Sequence, residues 1–237
     1  MLPVAILAGG LATRLGPLTQ KVPKALLPVA GRPFIHWQLA LLAQQGVTQV
    51  VLCVGHLGEQ IEATVGNGSG FGVTVRYSCD GAVLLGTGGA LKHALPMLGE
   101  AFFVLYGDSY LRCSFPDVQA AYEASAAAGL MTVFRNENRW ETSNVLFRDG
   151  RVVQYDKRSP RPDMRHVDYG LSILSAQALQ RGPATGAFDL ADVYHELAVQ
   201  GELAALAVNE RFYEIGSLGG IKATERYLVS GDRKSVV

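Results

Sequence analysis

The sequence predicts an α/β chain built on a doubly wound, mostly parallel sheet. Three observations carry that reading. Short continuous apolar runs, such as Val4–Ala8 and Phe102–Tyr106, have strand length and lack the polar alternation of a sheet wetted on one face. They alternate with helix-length stretches, the order that βαβ units require. The first strand also runs directly into Gly9-Gly10, a loop suited to the ligand edge of a Rossmann-like sheet.

Each element follows from its local pattern. Val4–Ala8 is the first buried strand, and Phe34–Gln45 a helix with a broad apolar face. Gln49–Val54 is a second buried strand, Leu57–Val65 a short helix with Ile61 and Val65 on one face, and Val73–Tyr77 an alternating third strand. After glycines 86, 88 and 89, Ala90–Leu98 reads as a helix and Phe102–Tyr106 as a further strand. Asp117–Ala128 is an alanine-rich helix and Leu130–Phe134 a strand. The run SNVLFRDGRVVQYDK reads as a hairpin turning at Asp149-Gly150. Val167–Leu174 adds a strand, Leu190–Val199 a helix, Ala204–Val208 a strand and Leu218–Val229 a closing helix. No repeat or flexible linker interrupts the pattern. Residues 1–230 therefore read as one domain with halves at about 1–115 and 116–230, the second smaller and hairpin-containing. The tail from Gly231 is expected to fray.

Composition excludes several function classes. Of 237 residues, 49% are hydrophobic and 18% charged, enough for a large core. Twenty-one basic side chains balance twenty-one acidic ones, so no global field recruits nucleic acid or an acidic membrane. Single-strand nucleic-acid binding would also need a basic groove with interleaved aromatics, which is missing. Cys53, Cys79 and Cys113 form no CxxC pair and read as core or near-core residues in a reducing compartment. Five scattered histidines without HExxH argue against a zinc enzyme. The N-terminus lacks a basic region, and no window approaches a membrane span. The expectation is a soluble cytoplasmic protein.

The stretch ILAGGLATRLGPLTQKVPKALLP, from Ile6 to Pro28, places three glycines, an arginine and two lysines straight after the first strand. Glycines let backbone approach a ligand, Arg offers a planar fork for phosphate oxygens, and Lys a mobile point charge. That set suits a polyphosphate. Neither G-x-x-x-x-G-K-[ST] nor G-x-G-x-x-G occurs here, and read alone the glycines and one arginine also fit a surface loop.

The whole string is more specific. LAGGLATRLGPLTQKVPKALLPVAGRP, from Leu7 to Pro33, resembles the opening motif of the sugar-1-phosphate nucleotidyltransferases, and LGTGGAL, YGD and YEIGS extend the resemblance over nearly the whole chain. It implies a GT-A-like nucleotidyltransferase fold. It also implies direct in-line attack of a sugar 1-phosphate on the α-phosphorus of a nucleoside triphosphate, giving NDP-sugar and pyrophosphate with Mg²⁺ and no covalent intermediate. Such chemistry depends on positioning and charge neutralisation.

Residue by residue, the resemblance assigns Leu7, Ala8, Gly9, Gly10 and Thr13 to the nucleotide, Arg14 to the departing pyrophosphate and Lys24 to the α-phosphate. Gly86, Thr87 and Gly88 fall at the base and ribose loop, and Asp80 stands nearest to the family's base-reading Gln or Glu. Asp108, ending FFVLYGD, would bind Mg²⁺ with Glu214, which replaces the family's usual Asp. Lys157 would face the sugar phosphate, with Asp156 in place of the family's Glu, and Asn144 and Gly170 near the sugar. The segment from Val54 to Leu95 looks most like short bacterial guanylyltransferases for heptose or mannose 1-phosphate, which favours GTP and D-glycero-α-D-manno-heptose 1-phosphate. Uridylyltransferases for N-acetylmuramate 1-phosphate share HLGEQIEA, and the thymidylyl- and cytidylyltransferases stand further off. Partners are then small molecules, and the family's frequent dimers and tetramers allow a homo-oligomer. A remote rival is a GDSL-type esterase, with Ser109 in YGDSYL as nucleophile and Asp192-Val-Tyr-His195 as its late D-x-x-H. Its GDS block would belong near the N-terminus, and its middle Asn motif is missing.

Overall fold

The structure is a computed structural model describing residues 1–11, 13–183 and 185–230, and of Thr13 and Arg14 the backbone alone. In chain order its elements are β1 (Val4–Leu7), the short hairpin β2 (Pro28–Val29) and β3 (Arg32–Pro33), α1 (Phe34–Gln44), β4 (Gln49–Val54), α2 (Gly58–Val65), β5 (Thr74–Cys79), α3 (Gly86–Ala94), β6 (Ala101–Tyr106) and β7 (Ser109–Tyr110). There follow α4 (Phe115–Ser125), β8 (Gly129–Arg135), β9 (Val145–Arg148), β10 (Arg151–Tyr155), β11 (His166–Ser175), α5 (Ala176–Gln180), α6 (Leu190–Val199), β12 (Leu203–Val208), β13 (Tyr213–Glu214) and α7 (Leu218–Ser230).

One nine-stranded sheet, ordered β5-β4-β1-β6-β11-β8-β12-β10-β9, runs through both halves. Its first four strands are all parallel. The chain steps outward from β1 to β4 and β5, then returns to the other side of β1 for β6. The strand order therefore reverses between β1 and β6, and the crevice outside their carboxyl ends is where a doubly wound sheet binds its ligand.

The continuous apolar runs have a simple cause. Val4 and Ile6 point into one core with Ile35, Leu39 and Leu42 of α1, while Ala5 points into the other with Leu91 of α3 and Val193 and Leu197 of α6. With helices over both faces, neither side of the strand tolerates a polar residue.

Beyond β6 the pairing changes. β11 is antiparallel to both β6 and β8, and β12 is parallel to β8. The β9–β10 hairpin turns at Asp149 and Gly150, both at positive φ (48° and 73°), as a type I′ turn requires. β9 also meets β11 at Val145 and His166, so the sheet curls at that end. Parallel pairing thus dominates the first half and antiparallel pairing the second.

Several boundaries moved for identifiable reasons. α3 begins at Gly86, four residues before the expected Ala90, because its glycines let Phe188 pack against its first turn. α4 begins at Phe115, capped by the Ser114 hydroxyl, which accepts the Asp117 N–H at 3.3 Å. The β7–β13 ladder escaped the sequence reading because two residues carry no periodicity. Cys53 and Cys113 are buried as expected, but Cys79 is exposed on edge strand β5. Among the described residues, no helix is long and apolar enough to cross a membrane. The tail expected to fray, Gly231–Val237, lies outside the described residues.

Candidate active site

The switch point opens into a cleft of about 260 Å³, lined by Leu7–Gly10 after β1, Tyr106–Asp108 at the end of β6, Lys24, Asp80 and the start of α3. At its back, main chain packs on main chain. Ala8 N–H donates to the Cys53 carbonyl and Gly107 N–H to the Leu7 carbonyl, both at 2.9 Å. A Cβ on Gly9 would fall 2.9 Å from the Gly55 nitrogen, so no other residue fits there without moving the loop.

Two opposite charges face each other in the cleft. Lys24 Nζ lies 2.9 Å from Asp108 Oδ2, with about a quarter or less of each side chain exposed (21% and 25%). Lys24 reaches it from a 3-10 turn, Lys24–Leu26, and Asp108 from the turn between β6 and β7. Glu214 is delivered from the other end of the sequence. β13 pairs with β7 so that Glu214 faces Ser109, and Ile215 N–H donates to the Asp108 carbonyl at 2.9 Å. The point a Cβ on Gly216 would occupy is 2.5 Å from Glu214 Oε2 and 3.6 Å from Asp108 Oδ2. Both carboxylates thus border one small space kept open by a glycine. Glu214 meanwhile accepts from Gly216 N–H and, at 3.2 Å, from the Ser217 hydroxyl.

The glycine loop is anchored from the far half of the chain. Gly88 N–H donates to the Phe188 carbonyl at 3.0 Å, and a Cβ on Gly88 would collide with the Phe188 ring at 2.2 Å. The Thr87 hydroxyl donates to Asp189 Oδ1 at 2.9 Å and accepts the Leu190 N–H at 2.8 Å, joining α3 to the cap of α6. Asp80 Oδ2 accepts the Leu85 N–H at 3.1 Å; burial raises its pKa, and that hydrogen bond opposes the rise. Cys53 also lines the cleft, but burial and then Asp80 push its thiol up to about 12, so it is a neutral wall and not a nucleophile.

On the other side, Lys157 Nζ sits 5.3 Å from the centre of the Tyr106 ring and 5.6 Å from that of Tyr155. No ion pair to it occurs among the described residues, and its charge is felt by Asp168 and Asp189. Burial raises the Asp168 pKa, opposed by Lys157, by the Gly170 N–H at 3.0 Å and by the Tyr155 hydroxyl at 3.4 Å.

A nucleotidyl transferase family profile matches residues 4–145, more than half of the chain. The chain belongs to the nucleotidyl transferase family. It is 47% identical over 104 residues to an N-acetylmuramate alpha-1-phosphate uridylyltransferase of Neisseria meningitidis, covering 44% of this chain and 45% of that one. It is 32% identical over 157 residues to a D-glycero-alpha-D-manno-heptose 1-phosphate guanylyltransferase of Aneurinibacillus thermoaerophilus, covering 65% and 66%. The chain spans about half to two thirds of the length of the curated relatives it matches. The inositol-1-phosphate CTP transferase of T. maritima superposes with a TM-score of 0.79 at 21% identity, covering 100% of this chain and 98% of that one, and so shares the fold.

In this family member, Leu7, Ala8, Gly9, Gly10, Lys24, Asp80, Gly86, Thr87 and Asp108 line one cleft, with Gly88 bonded directly behind it. Thr13 and Arg14 belong to the turn that follows β1, and their side chains lie outside the described residues. Three residues expected at the sugar have partners within the protein. The Asp156 carboxylate accepts the Ser159 and Arg158 N–H groups, both at 2.8 Å, which hold its pKa below the usual range. Asn144 is buried, its Oδ1 accepting the Asp168 N–H at 3.2 Å. Gly170, at φ +100°, backs onto Ser109. The rival esterase pair finds no support: Ser109 Oγ bonds Asp108 at 3.4 Å, whereas His195 Nδ1 bonds the Tyr155 carbonyl at 2.9 Å.

Tyr106, Asp168, Asp189 and Gln38 escaped the sequence reading. Tyr106 looked like the last core residue of a strand, and the two aspartates carry no motif. Gln38 sits, like His36, as a polar residue inside the mainly apolar run Phe34–Leu42, and that interruption was the available signal.

Proposed function

We propose that the chain transfers a nucleotidyl group from a nucleoside triphosphate to a sugar 1-phosphate. The observation that carries this is the cleft at the β1–β6 switch point, with Lys24 and Asp108 facing each other across it. A phosphate oxygen of the sugar 1-phosphate attacks the α-phosphorus in line. The bond from that phosphorus to the oxygen bridging it to the β-phosphate breaks, and pyrophosphate leaves with the electron pair. The chain's part is to align the two phosphates and neutralise them. The backbone of Leu7–Gly10 and the start of α3 hold the nucleotide, Lys24 turns to the α-phosphate, Arg14 meets the pyrophosphate, and Lys157, with no ion pair among the described residues, meets the sugar phosphate. Asp108 and Glu214 would hold Mg²⁺: two carboxylates on one small space match its habit of taking one or two carboxylates beside phosphate oxygens and water. When bound, the ion supplies charge neutralisation at the phosphates. The cleft is lined by the first half, and the second half adjoins it through Glu214 beside Asp108 and through Phe188 and Asp189 behind the glycine loop, so residues 1–230 act as one catalytic unit.

GTP and D-glycero-α-D-manno-heptose 1-phosphate are the first reading for base and sugar. Asp80 Oδ2 is occupied by Leu85 N–H while Oδ1 remains an acceptor, and guanine offers adjacent N–H donors on one edge. UTP with N-acetylmuramate 1-phosphate is the second reading, favoured by the 47% identity over 104 residues. Pyrophosphate release, measured over nucleoside triphosphates crossed with sugar 1-phosphates, decides. Release with GTP and a manno-configured heptose phosphate, lost in Asp108→Ala, is expected. Release only with UTP and N-acetylmuramate 1-phosphate moves the assignment to the second reading. Silence across the whole matrix overturns the transferase.

A further inference from the structure

We infer that Gln38 is a positioning residue whose buried amide fixes the turn presenting Asp108. The inference rests on the metal-site reading above. Gln38 lies on α1, has no exposed surface and sits 70 positions before Asp108 in the sequence. Its Nε2 donates to the Tyr106 carbonyl at 2.9 Å and to the Ser109 carbonyl at 2.8 Å. Only Gly107 and Asp108 lie between those carbonyls. Both amide hydrogens are therefore committed to the two ends of one four-residue turn.

The other end of the amide shows what orients it. Gln38 Oε1 is buried with no partner among the described residues. A side chain that leaves its acceptor unmet while both donors are satisfied is held by its donors. Leucine or methionine would fill the same space without burying a polar atom, so packing alone does not account for a glutamine.

The turn also occupies a joint. At Tyr106 the chain leaves the nine-stranded sheet, and at Ser109 it enters the two-stranded β7–β13 sheet that carries Glu214. Gly107 N–H ties the turn to β1 through the Leu7 carbonyl, and Ile215 N–H ties it to the β13 side through the Asp108 carbonyl. Gln38 supplies the tie to the helix layer. With it, the spacing between Asp108 and Glu214 is set by three elements.

Gln38→Met keeps the shape and removes both donors. Mn²⁺ binding to the full chain is read by electron paramagnetic resonance with α,β-methylene GTP or α,β-methylene UTP present, alongside kcat and each KM. The expected result is Mn²⁺ affinity about 10- to 100-fold weaker with a matching fall in kcat, the range found when partners behind metal ligands are removed. KM for the sugar 1-phosphate should stay within about threefold of wild type, since the substitution leaves Lys157 in place. Leu42→Ala, buried on the same helix and bonded to neither carbonyl, should lower thermal stability yet keep wild-type Mn²⁺ affinity. If Gln38→Met does not fold, Gln38→Glu, of the same size with at most one donor, should weaken Mn²⁺ in the same sense. Wild-type Mn²⁺ affinity in a folded Gln38 variant, with binding lost in Asp108→Asn, overturns the brace and leaves the metal reading standing. Wild-type affinity in Asp108→Asn overturns both.

Discussion

Replacing Lys24 with methionine separates a catalytic cation from a structural one. Its ammonium is 2.9 Å from Asp108, but the partners are 21% and 25% exposed, so water still screens the pair. Ion pairs with that much exposure contribute about 0–1 kcal/mol to folding. In a chain of this size, 1 kcal/mol moves the melting temperature by roughly 2–4 °C. The loss in the reaction should be far larger. Removing one preorganised group that meets developing charge costs about 10²- to 10³-fold in kcat, or about 2.7–4 kcal/mol. Continuous pyrophosphate release at saturating substrates, beside calorimetric unfolding of the same preparation, measures both. The expected outcome is a melting temperature within about 4 °C of wild type and kcat down by at least about 100-fold. A kcat within about fivefold of wild type, or a loss of more than about 10 °C, would refute the reasoning, because Lys24 would then serve the fold and not the phosphate.

Gly88→Ala drives a methyl group into the Phe188 ring 2.2 Å away, so it should raise KM for the nucleotide and cost about 1–3 kcal/mol of stability by urea unfolding; an unchanged KM would detach this loop from the nucleotide. Tyr106→Leu removes one of the two rings under Lys157 and should raise KM for the sugar 1-phosphate about 3- to 30-fold, whereas Tyr106→Phe keeps the ring and should behave as wild type. Burial raises the Asp168 pKa, so the fold disfavours its charged form and wild type loses stability as pH rises from the ordinary carboxylate range through the raised value. Asp168→Asn should therefore gain stability relative to wild type over that same rise, and a pH-independent difference in urea unfolding would show that Asp168 does not carry this penalty.

Backbone chemistry made much of this protein legible in the sequence. The runs Val4–Ala8, Val50–Val54 and Phe102–Tyr106 had to be strands covered on both faces, since they carry no alternating polar residue, and the Asp149-Gly150 turn had to be tight because those residues tolerate positive φ. Local pattern also placed Leu190–Val199 within the bounds observed. The same kind of signal, read through one long motif and the later YGD, pointed to the loop after β1, to Lys24 and to Asp108. Short-range pattern cannot say which distant residues meet. The motif resemblance paired Glu214 with Asp108, but the two-residue ladder that delivers Glu214 left no pattern; Phe188 and Asp189 anchor a glycine loop a hundred positions earlier, and Asn144 and Asp156 are held by neighbouring main-chain groups. Gln38 is the clearest case. In sequence it is a polar residue in a buried helix, and only the tertiary structure aims its two donors at the ends of one turn, because a hydrogen bond between residues 38 and 109 depends on how a helix packs on a sheet and leaves no periodicity in the chain.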